Sequence, residues 1–168
     1  MQKIPEKHSQ YTHCEFLFTD GVMWGSSGRD GGVRGRQMTK FKDHWDFVEV
    51  LITKKQEEKL RKWCEARDGA EYDMWGIIFC QALNTNWFLK PLKWFCSEYN
   101  TAGLQHINMK AVNGVSAHMI SPARLHMMIT GKCDIRSVVQ DEEFAETKKW
   151  LLLTSLVFCA TILLSLLF

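Results

Sequence analysis

The feature that most restricts how this chain can fold is an apolar run at residues 151–168, which contains no charged side chain. A helix needs roughly 20 apolar residues to cross the hydrocarbon core of a bilayer. Trp150 extends the run and is suited to the membrane interface. The few Ser and Thr residues within it are scattered and form no polar stripe. The sequence therefore predicts a transmembrane anchor at residues 150–168.

The residues in front of this run indicate how the anchor is oriented. Lys148 and Lys149 stand just outside it, and positive charge beside a membrane helix favours the cytoplasmic side. We therefore expect a membrane protein with a single-pass C-terminal anchor, a linker at residues 133–149 and a folded domain that faces the cytoplasm. The lipid bilayer is then one partner. The formal net charge of only +2 gives no reason to expect nucleic acid as another.

The cysteine pattern excludes two classes of small domain. Six cysteines are present, but no CxxC pair occurs and no Cys/His cluster has zinc-finger spacing. Several cysteines lie inside apolar runs, where a free thiol behaves as a small hydrophobe. We expect free thiols in a reducing compartment, with no metal site and no cofactor.

The first half of the chain has the composition of a sheet. β-Prone and alternating segments, separated by Gly-rich turns, predict strands, and Asp20-Gly21 predicts a two-residue hairpin loop. Arg29, Arg34 and Arg36 lie in the Gly-rich region, where we expect them to be exposed and available to lipid headgroups. The predicted strands are at residues 11–18, 22–27, 33–38 and 45–52.

The second half has helical signals. Thr53 with Gln56 forms a capping box, and Ser121-Pro122 has the pattern of a helix start. The predicted helices are at residues 54–67, 73–83, 94–104 and 122–130. Strands followed by helices predict an α+β domain at residues 11–132, with an antiparallel sheet packed on helices. Residues 1–10 form a polar N-terminal tail.

Cys96 is the candidate nucleophile. It stands near the start of a predicted helix, where the helix dipole stabilises a thiolate and lowers the pKa of the cysteine. A thiolate is what nucleophilic catalysis by cysteine requires.

His13 and Glu15 are the candidates for the base and its orienting group. In a strand they share one face, while Cys14 and Phe16 lie on the other. Two residues along a strand span about 6.6 Å, so the Glu15 side chain can reach the imidazole and fix its tautomer.

The predicted hairpin leaves two alternatives to Glu15. With a two-residue loop, Thr19 lies opposite Val22 and His13 falls opposite Gly28. Ser26 and Asp30 then flank Gly28 on the same face of the sheet. Each is a diagonal cross-strand neighbour of His13, at a distance of about 7–8 Å. The orienting group is therefore Glu15, Ser26 or Asp30, with Glu15 preferred.

These residues resemble a known superfamily. A strand carrying His13, a hairpin and a later Trp-Phe-Cys-Ser-Glu stretch at residues 94–98 are similar to the circularly permuted papain-like cysteine hydrolases. That superfamily includes permuted NlpC-type amidases and lecithin retinol acyltransferase-like enzymes, in which the histidine precedes the cysteine. Tyr72-Asp73 with Gly76 resembles a helix-opening motif that often lies between the two. The resemblance covers residues 11–121. Its relatives often carry a third polar residue on the strand after the histidine strand, where this chain offers only Ser26 and Ser27.

The resemblance implies a permuted papain-like fold and covalent catalysis. Cys96 would attack an amide, ester or thioester carbonyl, His13 would accept and return the proton, and backbone N–H groups with Tyr72 would hold the oxyanion. The predicted function is a membrane-tethered thiol hydrolase that cleaves an amide bond in a peptide-like substrate. The alternatives are a lipid-directed thiol esterase or acyltransferase acting on an acyl-lipid, and a catalytically inactive membrane-bound binding module.

Overall fold

The computed structural model describes residues 11–41, 45–78 and 92–132. Within them the chain forms a mixed α+β domain with an antiparallel sheet, which confirms the predicted class. The predicted tail at residues 1–10, the linker and the anchor all lie outside the described residues. None of the helices in the part that is described is both long and apolar enough to span a bilayer. The elements in chain order are β1 (Phe16–Leu17), β2 (Val22–Ser27), β3 (Gly32–Gln37), α1 (Lys54–Glu65), α2 (Met74–Gly76), α3 (Cys96–His106) and α4 (Pro122–Ile129).

The sheet has the order β1-β2-β3, and both pairs are antiparallel. Phe16 lies opposite Trp24, so the predicted pairing of Thr19 with Val22 is wrong by one residue. The loop holds three residues and is closed by a 2.9 Å bond from the Phe18 N–H to the Val22 carbonyl. Gly21 takes a left-handed conformation with φ of 81°, which is the standard way to close a three-residue hairpin loop.

Two predicted strands are shorter than expected or missing. Only Phe16–Leu17 of the predicted strand at residues 11–18 pairs with β2. Residues 45–52 contain no strand. Their alternating pattern predicted one. A strand also needs a neighbouring strand to pair with, and an alternating pattern carries no information about that neighbour. Phe47 and Leu51 of this segment are instead exposed, at 58% and 90%.

The helices agree more closely with the sequence. The Thr53 capping box with Gln56 is confirmed at the start of α1. Ser121 caps α4 by accepting from the Arg124 N–H, as predicted. Helix α3 begins at Cys96, two residues later than predicted. Of the predicted helix at residues 73–83, the described part holds the single turn α2 and the start of a further turn, and residues 79–91 lie outside the described part.

An aromatic cluster packs α1 and α3 against the sheet. The Trp63 ring lies 4.9 Å from the Tyr99 ring and 5.7 Å from the Trp94 ring. Phe16 of β1 approaches the same Tyr99 ring at 6.2 Å. Because α3 is fixed against β1 in this way, its first residue lies beside the segment that leads into β1.

Candidate active site

Backbone and side-chain bonds to Trp94 fix the start of α3. The Asp73 N–H donates to the Trp94 carbonyl at 3.1 Å, and the Trp94 N–H donates to the Glu71 carbonyl at 3.0 Å. The Ser26 hydroxyl donates to the same Trp94 carbonyl at 2.6 Å. Phe95 is then the buried N-cap residue, and Cys96 is the first residue of the helix. The sulfur is therefore set at the positive end of the helix dipole.

His13 and Glu15 are brought together with Cys96. The Nε2 atom of His13 lies 2.7 Å from Oε1 of Glu15, and the His13 ring is also hydrogen-bonded to Cys96. Because Glu15 engages Nε2, the other ring nitrogen, Nδ1, is left for the sulfur. The edge-on ring of Trp45, 6.2 Å away, covers one side of the imidazole. His13 keeps 32% of its side chain exposed, so part of the ring remains accessible from solvent.

Arg34 holds the Glu15 carboxylate in the charged form. It donates from both terminal nitrogens to the two carboxylate oxygens, at 2.9 and 3.2 Å. The Glu15 side chain is only 1% exposed. Burial alone would raise the pKa of this carboxyl, but the hydrogen bonds from His13 and Arg34 outweigh it and lower the pKa. Glu15 lies across Gly25, whose missing side chain leaves the space that the carboxylate occupies.

The electrostatics favour an ion pair between the sulfur and the imidazole. A hydrogen bond from Cys14, with a second from His13, lowers the pKa of Cys96 to about 5 against the opposing effect of burial. Burial pulls the pKa of His13 down, but its bonds to Cys96 and Glu15 outweigh that effect and raise it to about 9. Between these two values the pair is a thiolate and an imidazolium, the reactive form of a nucleophilic cysteine.

Cys14 also contacts Cys96, which the sequence did not predict. A regular strand would turn Cys14 away from the face of His13, but residues 11–15 are not paired in the sheet. Both neighbouring side chains therefore reach the sulfur of Cys96. The side-chain amide of Asn100 donates to the carbonyls of Cys14 and Cys96, at 3.0 and 2.8 Å. This amide ties the segment that carries His13 to the first turn of α3.

The Tyr72 hydroxyl lies next to the Cys96 sulfur. Burial, the charge on Cys96 and a hydrogen bond to it raise the pKa of Tyr72 to about 12. The phenol therefore remains a hydrogen-bond donor at neutral pH. Its ring packs against Gly28, where a Cβ would lie 3.3 Å from the ring.

The two alternatives to Glu15 have hydrogen-bond partners of their own. Ser26 is fully buried and donates to the Trp94 carbonyl. Asp30 accepts from Nε of Arg34 at 2.5 Å. Arg34, which was expected to be exposed, has a side chain that is 17% exposed and paired with Glu15 and Asp30.

Sequence reasoning missed Cys14, Trp45 and Asn100 as neighbours of the site. Arg34 was missed as well, and the available signal for it was the pairing of β2 with β3, which sets Arg34 opposite Gly25. Among the described residues, no group of three or more His, Cys, Asp or Glu side chains is arranged to hold a metal ion. Comparison with protein-family models, curated proteins and solved structures finds no match to this chain.

Proposed function

We propose that this protein is a membrane-tethered cysteine hydrolase that cleaves an amide bond in a peptide-like substrate through an acyl-enzyme. The observation that carries the proposal is the continuous chain of contacts from Cys96 to His13, Glu15 and Arg34. It joins a cysteine with a pKa of about 5 to a histidine with a pKa of about 9. A buried cysteine whose role is only packing has the opposite shift, as Cys64 does, because burial raises its pKa to about 12.

In the first step the Cys96 thiolate attacks the carbonyl carbon and forms a C–S bond. The oxyanion accepts hydrogen bonds from the Cys96 backbone N–H, which has no acceptor within its own helix, and from the Tyr72 hydroxyl. Collapse of this intermediate breaks the C–N bond. The imidazolium of His13 gives its proton to the departing amine, and Glu15 keeps the ring oriented.

In the second step water attacks the thioester. His13, now neutral, takes a proton from that water, the C–S bond breaks, and the acid leaves with Cys96 restored as a thiolate. A His13 that is protonated at rest favours amide substrates in particular. An amine is a poor leaving group until it is protonated, whereas a thiolate or a phenolate leaves without a proton.

A lipid-directed esterase or acyltransferase is the second candidate, and one observation favours it. The apolar side chains of Met74, Trp75 and Ile78 follow Tyr72 in the chain and are 56%, 54% and 41% exposed. An apolar surface beside Tyr72 suits an acyl chain or a membrane surface. The predicted anchor at residues 150–168 would keep the domain close to such substrates.

The test compares substrates that share one acyl group and differ only in the leaving group. The full chain, kept in mild detergent, is incubated with the matched amide, ester and thioester, and acid-quenched samples are read by intact mass spectrometry. We expect an acyl adduct on Cys96 and turnover of the amide. C96S should form no thioester adduct, and C64S should behave as the wild type. Turnover of the ester and thioester alone would favour the second candidate, and no adduct with any of the three would contradict both.

A further inference from the structure

Cys14, in the segment that precedes β1, and Cys96, the first residue of α3, form a pair of contacting thiols. The Cys14 thiol donates a hydrogen bond to the Cys96 sulfur, and both cysteines are free. We propose that Cys14 is a resolving thiol, which forms a reversible disulfide with Cys96 when a hydroperoxide oxidises the nucleophile. The expectation that this disulfide would switch off hydrolysis rests on the proposed function. The expectation that the disulfide forms is independent of that function.

The main chains of the two cysteines are held side by side. One side-chain nitrogen of Asn100 donates both to the Cys14 carbonyl and to the Cys96 carbonyl. Two carbonyls that share one donor keep their residues adjacent. A disulfide requires Cα atoms roughly 4.4–6.8 Å apart, and the thiol contact shows that the two side chains point towards each other. The shared amide and the hydrogen bond between the thiols therefore place the two side chains next to each other.

The two thiols differ in the way that such a reaction requires. Cys96 is the thiolate, and hydrogen bonding to Cys96 together with burial keeps the pKa of Cys14 well above its ordinary value. Only Cys96 is therefore ready to attack an oxidant. This division into an attacking and a resolving cysteine is typical of sites that pass through a sulfenic acid.

The reaction balances with a hydroperoxide as the oxidant. The Cys96 thiolate attacks the terminal peroxide oxygen, the O–O bond breaks, and Cys96 becomes a sulfenic acid while the alkoxide leaves as an alcohol after it takes up a proton. The Cys14 sulfur then attacks the Cys96 sulfur, and its proton leaves with the displaced hydroxide as water. The two thiols lose two electrons, which the peroxide gains. A dithiol reductant reverses the change by thiol–disulfide exchange.

If Cys14 had only a packing role, oxidation of Cys96 would give a different product. A cysteine that serves only as a small apolar side chain would not trap the sulfenic acid, and further oxidation of Cys96 to the sulfinic acid would follow. Cys64 provides the internal comparison, because it is buried and has a pKa of about 12.

The experiment treats the reduced full chain with a small excess of hydrogen peroxide, blocks the remaining thiols and maps the disulfides after trypsin digestion. Cleavage at Lys and Arg puts Cys14 in residues 8–29 and Cys96 in residues 94–110, with one cysteine in each peptide. We expect the cross-link between these two peptides to be the main product. It should disappear on treatment with dithiothreitol, which should restore alkylation of Cys96.

The variants separate the possible outcomes. C14S should lack the cross-link and accumulate the Cys96 sulfinic acid faster than the wild type does, while C64S should give the wild-type pattern. The proposal would be overturned by a sulfinic acid on wild-type Cys96 without a cross-link, or by a main cross-link to another cysteine. Since the cross-link is measured without substrate, it remains informative if the protein hydrolyses nothing. If the protein hydrolyses its substrate but forms no cross-link, the resolving role of Cys14 is wrong and the proposed function stands.

Discussion

A Cβ on Gly25 would stand 2.5 Å from Cγ of Glu15. The buried carboxylate of the candidate site therefore fills the space that any other residue at position 25 would need. Glu15 holds the His13 ring by a bond of 2.7 Å. The missing side chain at Gly25 therefore determines how the imidazole is oriented.

We expect Gly25→Ala to displace Glu15 and weaken the bond to His13. Overpacking of this kind typically costs about 1–3 kcal/mol of stability. In addition, the pKa of Cys96 should rise from about 5, because a less well-oriented imidazolium stabilises the thiolate less. The rate of Cys96 alkylation as a function of pH measures this shift.

Gly35→Ala is the matched control. It lies on β3, and its Cβ would meet the Trp24 ring at 2.6 Å, with all three of its nearest atoms belonging to Trp24. It should destabilise the sheet to a similar degree and leave the pH profile of Cys96 unchanged. Equal pH profiles for the two variants would argue against a role for Glu15 in orienting His13.

Arg34→Gln should make the protein more sensitive to acid. Bonds to His13 and Arg34 depress the pKa of Glu15 below 4.5, so the stability that they contribute is present above that value and is lost as the pH falls through the folded pKa. Loss of Arg34 raises the folded pKa, and acid unfolding should begin at a higher pH. At neutral pH we expect a loss near the lower end of the roughly 3–5 kcal/mol seen for broken buried ion pairs, measured by urea unfolding.

Arg29→Gln controls for the charge change, because Arg29 is an exposed arginine in the same Gly-rich region. It should leave both the acid midpoint and the urea midpoint close to the wild-type values. Arg34→Lys should recover only part of the loss, since an ammonium cannot reproduce the two-pronged contact with the carboxylate. An acid midpoint that is the same in wild type and Arg34→Gln would contradict the ion-pair role of Arg34.

Tyr72→Phe should slow acyl transfer while the fold remains intact. The ring that packs on Gly28 is kept, and only the hydroxyl hydrogen-bonded to Cys96 is removed. If this hydroxyl stabilises the oxyanion, kcat should fall on the order of 10²-fold with little change in KM. Tyr11→Phe removes a hydroxyl that donates to Asp46 instead and should have a smaller effect. An unchanged kcat in Tyr72→Phe would show that the Tyr72 hydroxyl does not stabilise the oxyanion and that only backbone N–H groups do so.

The sequence predicted the parts of the fold that depend on local signals. The Thr53 capping box, the Ser121-Pro122 start of α4 and the limits of β2 each depend on neighbouring residues, and all are confirmed. The hairpin loop was wrong by one residue because Asp20-Gly21 fits both a two-residue loop and a three-residue loop with Gly21 last.

Most of the contacts within the candidate site are between residues far apart in the sequence, and local sequence patterns do not predict such contacts. Pairing His13 with Glu15 followed from alternation along a strand, and the two side chains do meet. The contact of Cys14 with Cys96 broke that same alternation, because the chain leaves the sheet before Phe16. The bond of Arg34 to Glu15 depends on how β3 and the segment that precedes β1 lie on either side of Gly25, and the predicted hairpin loop does not contain that information.

The most direct test of the thiolate–imidazolium pair is the pH dependence of Cys96 alkylation in the full chain. A limiting amount of iodoacetamide is added at each pH, and mass spectrometry compares the labelling of Cys96 with that of Cys64. We expect Cys96 to react first, with a midpoint near pH 5, and His13→Ala to move that midpoint upward. A Cys96 that labels no faster than Cys64, with a profile that His13→Ala does not change, would contradict the proposed active site.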